Sequence, residues 1–178
     1  MSGPLHPLAA KIRSVPDFPK PGIIFRDITT LLKDSASLRS AVDALAEHYT
    51  GARVQKVACV ESRGFILGAA LALRLNAGFV PLRKKGKLPA AAIREEYSLE
   101  YGTDVMEVHS DAIARGERVL LHDDLLATGG TMSAATRLVD RLGASVVGIS
   151  FLIELNFLHG RERLRGYDVF SVIQYEAE

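Results

Sequence analysis

The chain has 178 residues, 48% of them hydrophobic, with 22 Lys and Arg against 21 Asp and Glu and one cysteine. A chain of this size buries a substantial core without covalent staples, and its near-zero net charge argues against a general nucleic-acid or anionic-membrane surface. A single cysteine excludes an internal disulfide and every multi-cysteine metal site, and no long apolar run, secretory signal or lipid motif occurs, so a cytoplasmic location is the expectation.

In chain order, the proline-rich stretch 15–22 excludes regular helix and predicts an irregular crossing of a sheet rim. Leu38, Val42, Leu45 and Tyr49 recur at helical spacing. Residues 54–60 read as a buried strand containing Cys59 as a small hydrophobe, 66–75 as a helix after a tight loop at Gly64, and 78–82 as a further strand. Residues 83–103 are mixed in character, with Arg83, Lys84, Lys85 and Lys87 clustered at the start, and a connection of that length predicts a functional loop. Strand 119–121 leads into a helix whose Ala135, Leu138, Val139 and Leu142 share one face and which Gly143 ends. Residues 146–153 form the last strong strand and 170–174 a short one. This alternation predicts an α/β fold with a mainly parallel central sheet flanked by helices, its right-handed crossovers gathering the loops on one rim.

The run from Val119 to Thr131 carries the most chemistry. Asp123 and Asp124 are expected to emerge at the carboxyl end of a buried strand, where open α/β sheets bind ligands. Ala127, Gly129 and Gly130 let the backbone approach a phosphate, while Thr128 and Thr131 add hydroxyl donors beside the free N–H groups of a helix start. Two carboxylates would repel that phosphate, so they face other donors. A ribose diol fits, since charge-assisted hydrogen bonds of this kind contribute about 1.5–3 kcal/mol each. Taken singly, an acidic strand end or a Gly-Gly turn is ordinary; joined, they describe a site for a phosphorylated sugar. No Gly-x-Gly-x-x-Gly occurs in this run, nor a Gly-Lys-Ser/Thr after a glycine loop. Glu61-Ser62-Arg63-Gly64 follows a strand in the same way and offers amides and a guanidinium to a second anion.

The run Asp123-Asp124-Leu125-Leu126-Ala127-Thr128-Gly129-Gly130-Thr131, together with residues 18–29, 61–65, 83–89 and 97–102, resembles the type I phosphoribosyltransferases, in family order and over nearly the whole chain. The resemblance implies the fold of that family in a single domain, 1–178, with a small N-terminal hood over residues 1–33 and a flexible lid loop over 83–103. It implies conversion of adenine and 5-phosphoribosyl 1-diphosphate to AMP and pyrophosphate in purine salvage. Mg²⁺ would be bound mainly through substrate and water, with no protein metal cage. It assigns phosphoribosyl diphosphate to Arg63, Lys84, Lys87, Asp123, Asp124, Ala127, Thr128, Gly129, Gly130 and Thr131. Adenine falls to the backbone of Ile24 with Phe25, Arg26 and Leu125, because one C=O and one N–H separate adenine from hypoxanthine by their opposite donor patterns. Glu100 is the candidate catalytic group, for a purine proton or for the sugar cation. A cis peptide is expected at Ser62-Arg63, and a homodimer in which Arg83 reaches the neighbouring site. His122 departs from the aliphatic residue usual in relatives and is expected as a neutral, hydrogen-bonded histidine at the strand end. Two alternatives stay open: a hypoxanthine/guanine enzyme, and a regulator sensing phosphoribosyl diphosphate, for which no spare length or basic DNA-binding helix is evident.

Overall fold

The computed structural model describes residues 6–98 and 102–177. A short 3-10 turn at Pro7–Lys11 leads into an antiparallel hairpin of β1 (Arg13–Val15) and β2 (Phe25–Asp27), which pairs Ser14 with Arg26. Between them the proline-rich stretch turns through a left-handed Asp17 and a cis Phe18-Pro19 bond, which no helix accommodates. Helices α1 (Thr29–Leu32) and α2 (Ser35–Tyr49) follow. Asp34 caps α2, its carboxylate accepting from the Ala36 amide at 3.1 Å, and Ala41, Val42, Leu45 and Tyr49 turn the helix toward the core.

The remaining elements are β3 (Lys56–Val60), α3 (Gly64–Arg74), β4 (Gly78–Lys84), β5 (Ala92–Ser98), β6 (Thr103–His109), β7 (Arg118–Leu126), α4 (Gly130–Arg141), β8 (Ser145–Leu155) and β9 (Val169–Tyr175). They build one sheet in the order β5-β6-β4-β3-β7-β8-β9, parallel from β4 through β9 and antiparallel where β6 meets β4 and β5. Strand alternation splits the core in two. Ala58, Val60, Val119 and Leu121 face α4, while Val57, Cys59 and Leu120 face α2 and α3.

Several boundaries differ from those read in the sequence. β3 starts two residues late because Arg53 takes a left-handed conformation after a 3-10 turn at Thr50–Ala52. β7 does not stop before the acidic pair: its ladder to β8 continues through Asp123, Leu125 and Leu126. Residues 83–103 contain the end of β4, all of β5 and the start of β6, paired in unbroken register from Ala92–His109 to Ser98–Thr103. α4 ends as expected: Gly143, at φ +75°, donates to Asp140 and the next amide to Val139, closing a Schellman turn. Among the described residues no helix is long and apolar enough to cross a membrane.

α3 lies close on β3 because Gly68 has no side chain: a Cβ there would stand 2.1 Å from Cys59 Sγ. Gly68→Ala is therefore expected to cost about 1–3 kcal/mol, lowering Tm by several degrees in thermal unfolding. Cys59→Ala in the same chain removes the sulfur and should recover much of that loss. A double variant no more stable than Gly68→Ala would show that the contact is not the cause.

Candidate active site

The carboxyl ends of β3, β4 and β7 open onto a cleft of about 500 Å³. Its walls include Phe25 from the hairpin, Glu61, Ser62 and Arg63 from the turn after β3, Lys84 from β4, Tyr97 from β5, Asp123 and Asp124 from β7, and Thr131 from α4. The expected sugar and anion residues Arg63, Lys84, Asp123, Asp124 and Thr131 thus come together from four separate segments. The turn after β3 holds a cis peptide at Glu61-Ser62, one residue before the expected position. The Glu61 amide still donates to the Leu82 carbonyl at 2.9 Å, so the ladder ends there and the reversal begins with the next peptide.

Asp124 is nearly buried, and its Oδ2 lies 2.9 Å from Arg63 Nε, while the guanidinium carbon stands 5.0 Å from the Phe25 ring centroid. Asp123 Oδ1 accepts from the Asp124 amide at 2.8 Å. Burial, and next the charge of Asp124, push the Asp123 carboxyl well above the usual carboxylate range; burial also raises Asp124, against the opposing pull of Arg63. The two groups therefore favour hydroxyl donors supplied by a ligand. Gly64 permits this approach, since a Cβ there would sit 3.0 Å from Asp123 Oδ1.

After β7, residues 127–129 form the expected glycine turn around a pocket of about 70 Å³ lined by Leu125, Ala127, Thr128, Gly129, Gly130 and Thr131. Gly129 caps α4 in a left-handed conformation, φ +79°. Among the described residues none accepts a hydrogen bond from the amides of Thr128, Gly129, Gly130 or Thr131. Four donors at the start of a twelve-residue helix make an anion cradle.

Other expected residues are arranged differently. Lys84 Nζ lies 3.4 Å from Asp104 Oδ2. Lys87 is not among the residues that line the cleft, and its carbonyl accepts from Arg83 Nη1 at 3.0 Å. Arg83 grips Glu61 through Nε and Nη2 at 3.2 and 3.1 Å, and that hydrogen bonding holds the Glu61 carboxyl below its ordinary range. Ile24 is half-buried just before β2. Arg26 is buried, with Nη1 donating to Ser14 Oγ at 2.6 Å, its guanidinium 4.0 Å over the Tyr175 ring, and Nε without a partner. Glu100 lies outside the described residues. Sequence reasoning gave no role to Glu61 or Tyr97, although both stand in segments singled out there, and did not find Ser14 and Tyr175, whose contacts with Arg26 leave no local pattern.

A sequence profile described as the phosphoribosyl transferase domain matches residues 28–177. The adenine phosphoribosyltransferase of Acidobacterium capsulatum is 58% identical over 170 residues, covering 96% of this chain and 94% of that protein. The crystal structure of adenine phosphoribosyltransferase from Thermoanaerobacter pseudethanolicus superimposes with a TM-score of 0.92 at 51% identity, covering 94% of this chain and 98% of that one. That of the Saccharomyces cerevisiae enzyme, solved with an imino-altritol bisphosphate and adenine, gives 0.89 at 38% identity over 93% and 96% of the two chains.

One residue before the acidic pair, His122 is fully buried, with Nδ1 2.9 Å from Ser150 Oγ on β8 and Nε2 unpartnered. Burial lowers its pKa from 6.5 to about 4, against the smaller raising effect of the Ser150 backbone. The native state thus excludes a proton that the unfolded chain accepts below about 6.5. Stability should fall as pH drops from 6.5 toward 4 and level off below, with about 2 kcal/mol of this loss present by pH 5. Urea unfolding at pH 7 and pH 5 should show His122→Leu losing less than the parent by about that amount; equal losses would reject the assignment.

Proposed function

Since the chain belongs to the phosphoribosyl transferase domain family, we propose that it transfers the phosphoribosyl group of phosphoribosyl diphosphate to adenine, releasing AMP and pyrophosphate. It is a glycosyltransferase of the pentosyl class. The observation that carries this reading is the adjacency, at one rim, of the buried Asp124 and half-buried Asp123 carboxylates and a turn whose amides have no acceptor among the described residues. The relatives named adenine phosphoribosyltransferase supply the base.

In this reading adenine N9 attacks the anomeric carbon as the bond to the diphosphate oxygen breaks. Asp123 and Asp124 hold the ribose hydroxyls, setting negative charge beside the ring as it becomes cationic. Residues 127–131 hold the 5′-phosphate, so binding far from the reacting carbon orients the ring for attack. Arg63, Lys84 and Lys87 receive the diphosphate. Ile24 reads the base through its backbone, Phe25 and Leu125 cover its faces, and Arg26 meets a further ring acceptor; a mispaired base leaves polar groups unsatisfied, at about 1–3 kcal/mol each. Glu100 serves the purine proton or the sugar cation.

Magnesium fits as a companion of the diphosphate. Mg²⁺ commonly keeps substrate oxygens and waters as ligands. When bound it neutralises charge on the leaving group. Purine salvage of this kind places the protein in the cytoplasm.

The active form is a homodimer. α3 presents Ile66, Ala69 and Leu73 outward, and Phe79 of β4 stands beside them, its ring edge against Phe65. Leu73 is 83% exposed, and an apolar stripe at helical spacing suits a second copy of the same surface.

Purified protein with phosphoribosyl diphosphate and magnesium should release pyrophosphate with adenine, and at least about 100-fold less efficiently with hypoxanthine. Faster release with hypoxanthine would assign the other purine, equal rates would remove the base selectivity, and binding without turnover would remove the enzymatic reading. Glu100→Ala should lower kcat by about tenfold or more while both KM values stay within about threefold; an unchanged kcat would reject its role. Leu73→Glu should sediment as a monomer where the parent sediments at twice that mass, and a dimeric variant would place the interface elsewhere.

A further inference from the structure

The phosphate turn is not held by hydrogen bonds from its amides, since those of residues 128–131 have no acceptor among the described residues. What lies behind it is the connection between β8 and β9. A Cβ at Gly160 would stand 2.2 Å from the Ala127 carbonyl oxygen, and one at Gly129 would stand 2.4 Å from the Gly160 carbonyl oxygen. Two backbones touch with no side chain between them, so wherever Gly160 is held, the phosphate turn must follow.

The next residue does the holding. Arg161 donates through Nε and Nη2 to the two carboxylate oxygens of Glu154, at 2.6 and 2.7 Å, and through Nη1 to the Val169 carbonyl at 2.8 Å. Glu154 is 2% exposed near the end of β8, and Val169 opens β9. One planar guanidinium therefore bridges two neighbouring strands by a bidentate grip that fixes orientation as well as distance. Leu164, buried in the core, anchors the far end of the same turn.

We propose that Glu154 and Arg161 are positioning residues for the phosphate turn, acting through Gly160. The proposal rests on the reading of that turn as the 5′-phosphate cradle. Neither residue lines the cleft or the pocket of the turn. A lysine at 161 keeps the charge but replaces a fork by a single point, so Gly160 gains freedom and the four amides lose their common aim. Ligands carrying a 5′-phosphoryl group lose affinity, while ligands without one keep it.

The test compares the parent with Arg161→Lys and Glu154→Gln in steady-state kinetics and in calorimetric titration with ribose 5-phosphate. Both variants should raise KM for phosphoribosyl diphosphate and Kd for ribose 5-phosphate by about tenfold or more, with kcat and the adenine KM within about threefold. The double variant should be little worse than the weaker single one, because the pair acts as a unit. Parent-like KM and Kd in a folded variant would overturn the proposal, as would a parallel loss for every substrate. If Arg161→Lys does not fold, Glu154→Gln decides alone. A parent that binds ribose 5-phosphate but releases no pyrophosphate would defeat the assigned reaction instead, and the calorimetric comparison would still decide this proposal.

Discussion

A carboxylate taken out of water must be paired, and the pairing of Asp124 with Arg63 ties together three parts of the chain that share no local sequence. Asp124 lies two residues before the end of a central strand, Arg63 is the N-cap of α3, and the same guanidinium stands over Phe25 of the N-terminal hairpin. Such a pair contributes little net stability, because desolvation offsets most of its attraction, whereas leaving one partner alone costs about 3–5 kcal/mol. Its value is positional. With Arg63 drawn to the end of β7, Gly64 closes against Asp123 and the hairpin is brought over the mouth of the cleft.

The rest of the site follows from where side chains are missing. Gly64 against Asp123, Gly68 against Cys59, and Gly129 against Gly160 are backbone approaches that a methyl group would open. They set α3 and the phosphate turn on a sheet whose central strands are buried on both faces, so the ligand-facing groups inherit the rigidity of the core. Charge is sorted in the same manner. A chain with almost no net charge gathers carboxylates at the centre of the rim, free amides on one side and basic side chains on the other, matching the order of diol, 5′-phosphate and diphosphate in the proposed substrate.

What was legible in the sequence was what local pattern determines. The apolar runs of β3, β7 and β8 could only be central strands, and Gly143 could only end a helix, because each carries its reason within a few residues. The β5–β6 hairpin was legible only as part of a long functional loop with extended character toward its end. Arg94, Glu95 and Glu96 belong to an outer strand, and Arg137 and Arg141, which satisfy Glu95, stand on α4 more than forty residues away. The acidic pair was placed at the right rim, yet the strand's continuation through it depends on pairing with β8, which composition does not encode. The surroundings of Arg26 were hidden for the same reason: Ser14 reaches it across a hairpin and Tyr175 from the last strand.

Those hidden contacts bear on how selectivity is built. A buried N–H without a partner costs about 1–3 kcal/mol, and Arg26 Nε is such a group, held still by a hydrogen bond on one nitrogen and an aromatic face beneath. The phosphate turn repeats the arrangement with four amides that have no acceptor among the described residues. Folding leaves these donors unsatisfied and immobile together, so the ligand that completes them recovers their cost without spending entropy on their alignment. A ligand lacking an acceptor at any one of these points leaves that cost in place, which is why fixed, unpaired donors discriminate more sharply than a pocket that merely fits.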